Sequence, residues 1–386
     1  MLSRLLSGAG LLALASAASV APAHADITLV EGSETSPSLN LFGRLQYDFA
    51  HYDSDTRGSD EGVEMRRFRL GLDGEAGAVF YKLEGDFSQG QARLADAFVG
   101  LEAGPVTLRA GQFKTPNSLE ELTSSGSVLF MERGQTNTLF GLGRRVGVMA
   151  EHSGEGYALQ GGVFGNVVKD DLSTALDGSE TSLAARAVWQ PVRGEAGTLH
   201  LAAHVRATDY EDGKRFSTKP ASREFGPIAR LDYRAGSALG EADDSRLAGI
   251  EALWLSGRFL AQGEIMRLDI DGPAGDPSIT SGYGVLGFML TDDARGYKAS
   301  RGALGGVEPN RPVTEGGIGA WQASLRAEFT DFDTAPAGEL STYAAGLSWW
   351  PTEATRVMFE AGSSTLDGAL GDTDLDFVQA RLQLDW

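Results

Sequence analysis

Apolar and polar residues alternate along most of the chain with a period of two. Between residues 39 and 49, Leu39, Leu41, Leu45, Tyr47 and Phe49 fall on one face, and Asn40, Arg44, Gln46 and Asp48 on the other. Leu199, Leu201, Ala203 and Val205 alternate with His200, His204 and Arg206. Val106, Leu108 and Ala110 do so with Thr107 and Arg109. Trp321, Ala323, Leu325, Ala327 and Phe329 alternate with Gln322, Ser324, Arg326, Glu328 and Thr330. Side chains of a strand point to its two faces in turn, so this pattern predicts strands with one apolar and one polar face. No long stretch keeps a helical period, and the predicted fold class is all-β.

A soluble sandwich and a membrane barrel share that alternation. Three features favour a transmembrane antiparallel β-barrel. Short turns at residues 74–77, 102–105, 153–156 and 256–257 alternate with long polar connections at 53–62, 115–143, 167–180 and 209–245. Short turns on one side and long loops on the other are the outer-membrane pattern. The chain ends as a strand, with Val378, Ala380, Leu382, Leu384 and Trp386 opposite Gln379, Arg381, Gln383 and Asp385. A final aromatic on such a strand resembles the signal read by the barrel-assembly machinery. Aromatic residues near strand ends, as at Tyr343 and Trp349-Trp350, fit interfacial girdles. Candidate strands fall at 38–52, 62–73, 78–88, 92–101, 105–114, 144–152, 157–166, 181–190, 197–208, 246–255, 258–269, 280–290, 318–330, 340–350, 354–363 and 375–386. That is about sixteen, an even number that puts both termini on the periplasmic side. Residues 291–316 then make a long connection on the side of the short turns, so about fourteen or eighteen strands stay open.

The N-terminus sets the compartment. Arg4, an apolar run from Leu5 to Val20 and the small-x-small site Ala23-His24-Ala25 read as a signal peptide over residues 1–25. The run is short for a membrane anchor. Residues 26–386 then form one barrel domain in the outer membrane, in contact with its lipid. The chain has no Cys, which excludes a disulfide framework, thiolate metal sites and a Cys nucleophile. Its formal charge is -20, from 33 Lys+Arg against 53 Asp+Glu, which argues against nucleic acid as a partner.

Several segments resemble the porin O and P family of phosphate- and polyphosphate-selective porins. They are Gly43-Arg44-Leu45-Gln46-Tyr47-Asp48, Met65-Arg66-Arg67-Phe68-Arg69-Leu70, Tyr81-Lys82-Leu83-Glu84-Gly85-Asp86-Phe87-Ser88 and Asp96-Ala97-Phe98-Val99. Others are Leu108-Arg109-Ala110-Gly111-Gln112-Phe113-Lys114, Ser118-Leu119-Glu120-Glu121-Leu122-Thr123-Ser124-Ser125, Met131-Glu132-Arg133, Gly319-Ala320-Trp321 and the final strand. The resemblance implies a homotrimeric channel that passes small anions such as phosphate, with residues 115–143 folded into the lumen as a constriction. The alternative is a general or differently selective porin.

Strand parity puts Arg44, Arg67, Arg69, Arg109 and Arg326 on the polar face. Guanidinium forks bind phosphate or carboxylate oxygens in pairs, and a ring of them selects anions. Equally, they can pair with carboxylates such as Asp48, Asp73 and Asp86 and brace the barrel. The resemblance assigns pore roles to Arg44, Arg67, Asp96 and Arg133. It matches Lys214, Arg215, Lys219 and Arg223 loosely to a ladder of basic residues. It also exposes a departure: Glu121, preceded by Glu120, stands where the family carries a lysine at the narrow zone. Unneutralised, two carboxylates there would repel phosphate.

Other motifs fail their context. Gly282-Tyr283-Gly284-Val285-Leu286-Gly287 fits a dinucleotide loop but lies inside an alternating strand. His200 and His204 share a strand face about 13 Å apart, too far for one metal. No metalloprotease, nucleophile-elbow or phosphate-loop motif is present, and no cofactor is implied. A barrel lipase or protease would need a Ser or Asp with a His at the lipid or outer rim; His51 and His152 lack a convincing nucleophile context in the sequence, so the chain reads as a channel rather than an enzyme.

Overall fold

The computed structural model describes residues 27–386 except 34–35, 56–57, 91, 141, 169–179, 195, 212–214, 218–237, 274, 333–337 and 368–372. The signal peptide expected over residues 1–25 lies outside the described residues. Sixteen strands carry the alternation. They are β1 (Leu39–Ser54), β2 (Gly58–Ala76), β3 (Val79–Asp86), β4 (Arg93–Ala103), β5 (Val106–Lys114), β6 (Arg144–Gly154), β7 (Tyr157–Phe164) and β8 (Glu180–Val192). Then follow β9 (Thr198–Tyr210), β10 (Asp244–Ser256), β11 (Phe259–Asp271), β12 (Ser278–Met289), β13 (Ala320–Asp331), β14 (Glu339–Thr352), β15 (Thr355–Asp367) and β16 (Thr373–Asp385). Each pairs antiparallel with the next. Pairing of β1 with β16, from Arg44 opposite Asp385 to Ser54 opposite Leu375, closes the barrel. Where β16 ends, the short strand Ile27–Val30 pairs with β1 instead.

Burial follows the alternation. Leu183, Trp189, Ile250, Leu325, Tyr343, Phe359 and Val378 are exposed, whereas Arg186, His200, Glu251, Arg326, Glu360 and Arg381 are buried. Apolar side chains outside and polar ones inside are the arrangement of a barrel set in lipid. Among the described residues no helix is long and apolar enough to cross a membrane. The four short turns use Gly77, Gly104, Gly156 and Gly257 at φ 60, 65, 85 and 54°, a left-handed backbone that glycine adopts without a Cβ clash.

The inward faces are not uniformly polar. Leu253 of β10, Leu260 and Met266 of β11, Ile279 and Val285 of β12 and Leu340 of β14 point inward. They share one core with Leu119, Leu129, Phe130, Leu139 and Phe140 of residues 115–143. That segment carries helices α1 (Leu119–Leu122) and α2 (Gln135–Leu139). Charged side chains of distant strands hold its backbone. Glu264 of β11 accepts from the N–H groups of Leu119 and Glu120 at 3.1 and 2.8 Å. Glu328 of β13 accepts from Gln135 at 2.8 Å, and Glu360 of β15 from Met131. Arg356 donates to the Val128 carbonyl at 2.8 Å, Arg326 to that of Glu132 at 3.0 Å, and Arg381 to that of Met131. Ionised partners make such bonds stronger than neutral ones.

The long connection between β12 and β13 is real, and strand number does not need revision. It forms a hairpin of Arg295–Lys298 with Ala303–Val307 and a turn at Val313–Glu315. The hairpin tip reaches the inward faces of β8 and β9. Arg186 donates to the carbonyls of Arg301 and Gly302 at 2.9 and 2.8 Å, and Gln190 to that of Ala299 at 3.0 Å. The Tyr297 hydroxyl meets His200 Nδ1 at 2.7 Å. Arg295 donates to the Ser127 carbonyl, and Leu304 N–H to Thr123 Oγ1 at 3.2 Å, so this hairpin also meets residues 115–143.

One expected girdle residue is corrected. Trp349 is stacked on Trp321 at 5.3 Å, and both indole N–H groups donate to the Ile318 carbonyl. Its neighbour Trp350 is on the opposite strand face, buried beneath the guanidinium groups of Arg356 and Arg295 at 4.5 and 5.4 Å.

Candidate functional site

Most of the basic residues singled out from the sequence already have carboxylate partners. Arg44 lies 2.5 Å from Asp385 and donates to Ser124 and Ser125 at 3.1 and 2.8 Å. Arg69 pairs with Asp86 at 2.8 Å and Glu84 at 3.4 Å. Asp96 binds Arg144 at 2.6 Å and Lys82 at 3.2 Å. Arg109 pairs with Glu151 at 2.8 Å and lies over the rings of Phe98 and Phe113. Arg67 is buried, bonded to Gln46 at 2.6 Å and to Glu132 at 3.2 Å. Its position is that of a brace beneath the loop, not of a surface open to a passing ion. Asp48 serves Arg381 at 2.6 Å, and Asp73 accepts from Asn40 at 3.1 Å.

The two glutamates are neutralised where they stand, and both are buried. Glu120 contacts Arg326 at 2.5 Å and accepts from Gly134 N–H and Asn137 at 2.8 and 3.0 Å. Glu121 lies 3.2 Å from Arg133 and 3.5 Å from Lys114. Arg133 also donates to the carbonyls of Glu120 and Thr123 at 2.8 and 2.7 Å, which fixes it inside its own loop. Lys214, Lys219 and Arg223 lie outside the described residues. Arg215 begins a short strand, Arg215–Ser217, paired with Ala238–Glu241, and its side chain is outside the description.

Glu132 is a charge hub that the sequence reading passed over. It lies 2.8 Å from Arg66, 3.2 Å from Arg67 and 2.8 Å from Arg381. Burial alone would raise its carboxyl pKa. The charges of Arg66, Arg67 and Arg381 outweigh burial and hold it well below the usual range. His200 and His204 do share an inward face, and both contact Glu251, at 3.4 and 2.8 Å. Among the described residues no metal-binding group of three or more His, Asp or Glu is present.

A cavity of about 90 Å³ lies between the wall of β3 to β7, α1 and the hairpin tip. Lys82, Arg109, Lys114 and Arg301 line it with Asp96 and Glu151, so four cations face two carboxylates. Phe98, Phe113, Pro116, Leu122, Met149 and Gln160 complete the lining. Arg301 and Lys298 are exposed, and neither side chain has an ion-pair partner among the described residues. Though exposed, Lys298 loses part of its hydration to the surrounding protein, and this, with the charges of Arg301, Lys82 and Arg44, pushes its ammonium pKa down.

A closed antiparallel barrel with charged side chains directed inward is channel architecture. Residues 39–386 match the family described as phosphate-selective porin O and P. The chain belongs to this family of outer-membrane porins. An uncharacterised protein of Caulobacter vibrioides is 32% identical over 376 residues, covering 90% of this chain and 74% of the relative. Porin O of Pseudomonas aeruginosa is 23% identical over 397 residues, covering 90% of this chain and 88% of the relative. An anion-selective porin from Comamonas acidovorans superposes with TM-score 0.59 at 14% identity, covering 91% of this chain and all of that one. That last likeness is one of fold. Lys298 and Arg301 were missed in the sequence. The signal for them was the connection whose length disagreed with strand parity.

Proposed function

We propose that this porin conducts small anions, phosphate among them, across the outer membrane by passive diffusion, without catalysis. Residues 115–143 act as the constriction loop, and the passage runs between that loop and the wall of β3 to β7. The observation that carries this reading is the excess of cations over carboxylates around the cavity, with Arg301 unpaired beside it. A passing anion finds fixed positive charge there in a site of reduced solvent, where ion interactions exceed their strength in water. Export by a signal peptide at residues 1–25, folding by the barrel-assembly machinery and assembly as a homotrimer complete the proposal. They are supported by the sequence of the N-terminus, the aromatic final strand and the family.

A second reading, a porin without phosphate preference, has its own support. Lys82, Arg109 and Lys114 each have a carboxylate within 3.5 Å, which weakens their hold on a second anion. Chloride currents through purified porin in a planar bilayer, measured with added phosphate, separate the two. Block by submillimolar phosphate supports the phosphate site. Anion selectivity without such block supports the second reading.

A further inference from the structure

The cavity lining is of two kinds. Four cations line it, and of these Arg301 alone lacks an ion pair among the described residues. Phe98, Phe113, Leu122 and Met149 line it as well. The Arg109 guanidinium lies over the rings of Phe98 and Phe113 at 4.8 and 5.3 Å and is bound to Glu151. A cation held on aromatic faces and by a carboxylate is part of the wall, with little charge left for a solute. Inorganic phosphate gains nothing from apolar surface, and its second charge would face Asp96 and Glu151. A carboxylate attached to a flat apolar body uses both kinds of lining. Its head meets the Arg301 fork, and its body displaces water from the aromatic and aliphatic side chains.

We infer that the cavity is a binding site for organic monocarboxylates with an apolar body, aromatic acids foremost, in preference to inorganic phosphate. This inference rests on the anion-channel reading and narrows its solute class. The site works by matching one charge and one apolar face, and the family's inorganic solute matches only the first.

The test is block of the chloride current by three probes, benzoate, acetate and inorganic phosphate, on the full-length porin in a planar bilayer. Benzoate is expected to half-block at about a tenfold lower concentration than acetate, the effect of partly burying a phenyl ring, and below phosphate. In Phe98→Ser the benzoate-to-acetate ratio is expected to fall to about two as the apolar wall is lost. Arg301→Gln, at the exposed hairpin tip, provides a variant that leaves the wall packing in place. It is expected to weaken block by benzoate and acetate alike. Equal block by benzoate and acetate, or tighter block by phosphate, with the reversal potential still on the anion side, would overturn the solute class alone. A reversal potential on the cation side would overturn the channel reading and this inference with it.

Discussion

Glu132 is where the long loop is tied to the barrel. Its carboxylate pairs with Arg66, Arg67 and Arg381, two of which come from β2 and one from β16. Because its pKa in the folded porin lies below the ordinary 4.5, it contributes stability above the unfolded value, lost as pH falls through the folded one. Thermal unfolding in detergent is therefore expected at progressively lower temperature on acidification below pH 4.5, with a smaller decline in Glu132→Gln. That substitution leaves buried guanidinium groups without their carboxylate and should cost about 3 kcal/mol, read from urea unfolding. A variant as stable as the parent would remove Glu132 from this role. At Glu121 the effect is on selectivity. Glu121→Gln frees Lys114 and Arg133, and the chloride-to-potassium permeability ratio should rise about twofold; an unchanged ratio would show that their charge does not reach the passage. The two carboxylates were legible in the sequence, but their partners were not. Lys114 and Arg133 lie seven residues before and twelve after Glu121, and no periodicity brings them together.

The strands were the most legible elements, because two solvents of opposite polarity impose the period of two on each of them. Legibility fell where that condition fails. On β10 to β12 part of the inward side packs with Leu129, Phe130 and Phe140, so apolar residues such as Leu253, Met266 and Val285 interrupt the polar face. The Gly282 to Gly287 stretch lies inside β12 as expected, and a Cβ at Gly282 would meet the Glu264 carbonyl and the Phe329 ring at 2.9 Å. The connection after β12 was visible only as a length out of place. Its fold could not be read, because its partners Arg186, Gln190 and His200 lie about a hundred residues earlier. If this hairpin narrows the passage, replacing residues 297–302 by a short glycine-serine turn should raise single-channel conductance about twofold. It should also lower anion selectivity, since Lys298 and Arg301 leave with it. Unchanged conductance would place the hairpin away from the ion path.

At the scale of the molecule, two surfaces of opposite character share one sheet. The outer one tolerates no charge near its middle. Leu325→Arg should cost about 2–4 kcal/mol in reversible folding into lipid, whereas a cost near zero would mean that this face does not meet the membrane core. In the proposed function the inner one sets selectivity, and the net charge of -20 does not. Charges more than about 8 Å from the ion path are screened at physiological salt, so the few cations at the narrow zone decide. The central claim is that this zone is positive and that the β12–β13 connection supplies much of the charge. Reversal potential in a KCl gradient, for the porin and for its Lys298→Gln, Arg301→Gln double variant, tests it most directly. The account predicts an anion-side potential that moves towards zero in the variant. A potential at zero or on the cation side in the unmodified porin, or one that the double substitution leaves in place, would contradict it.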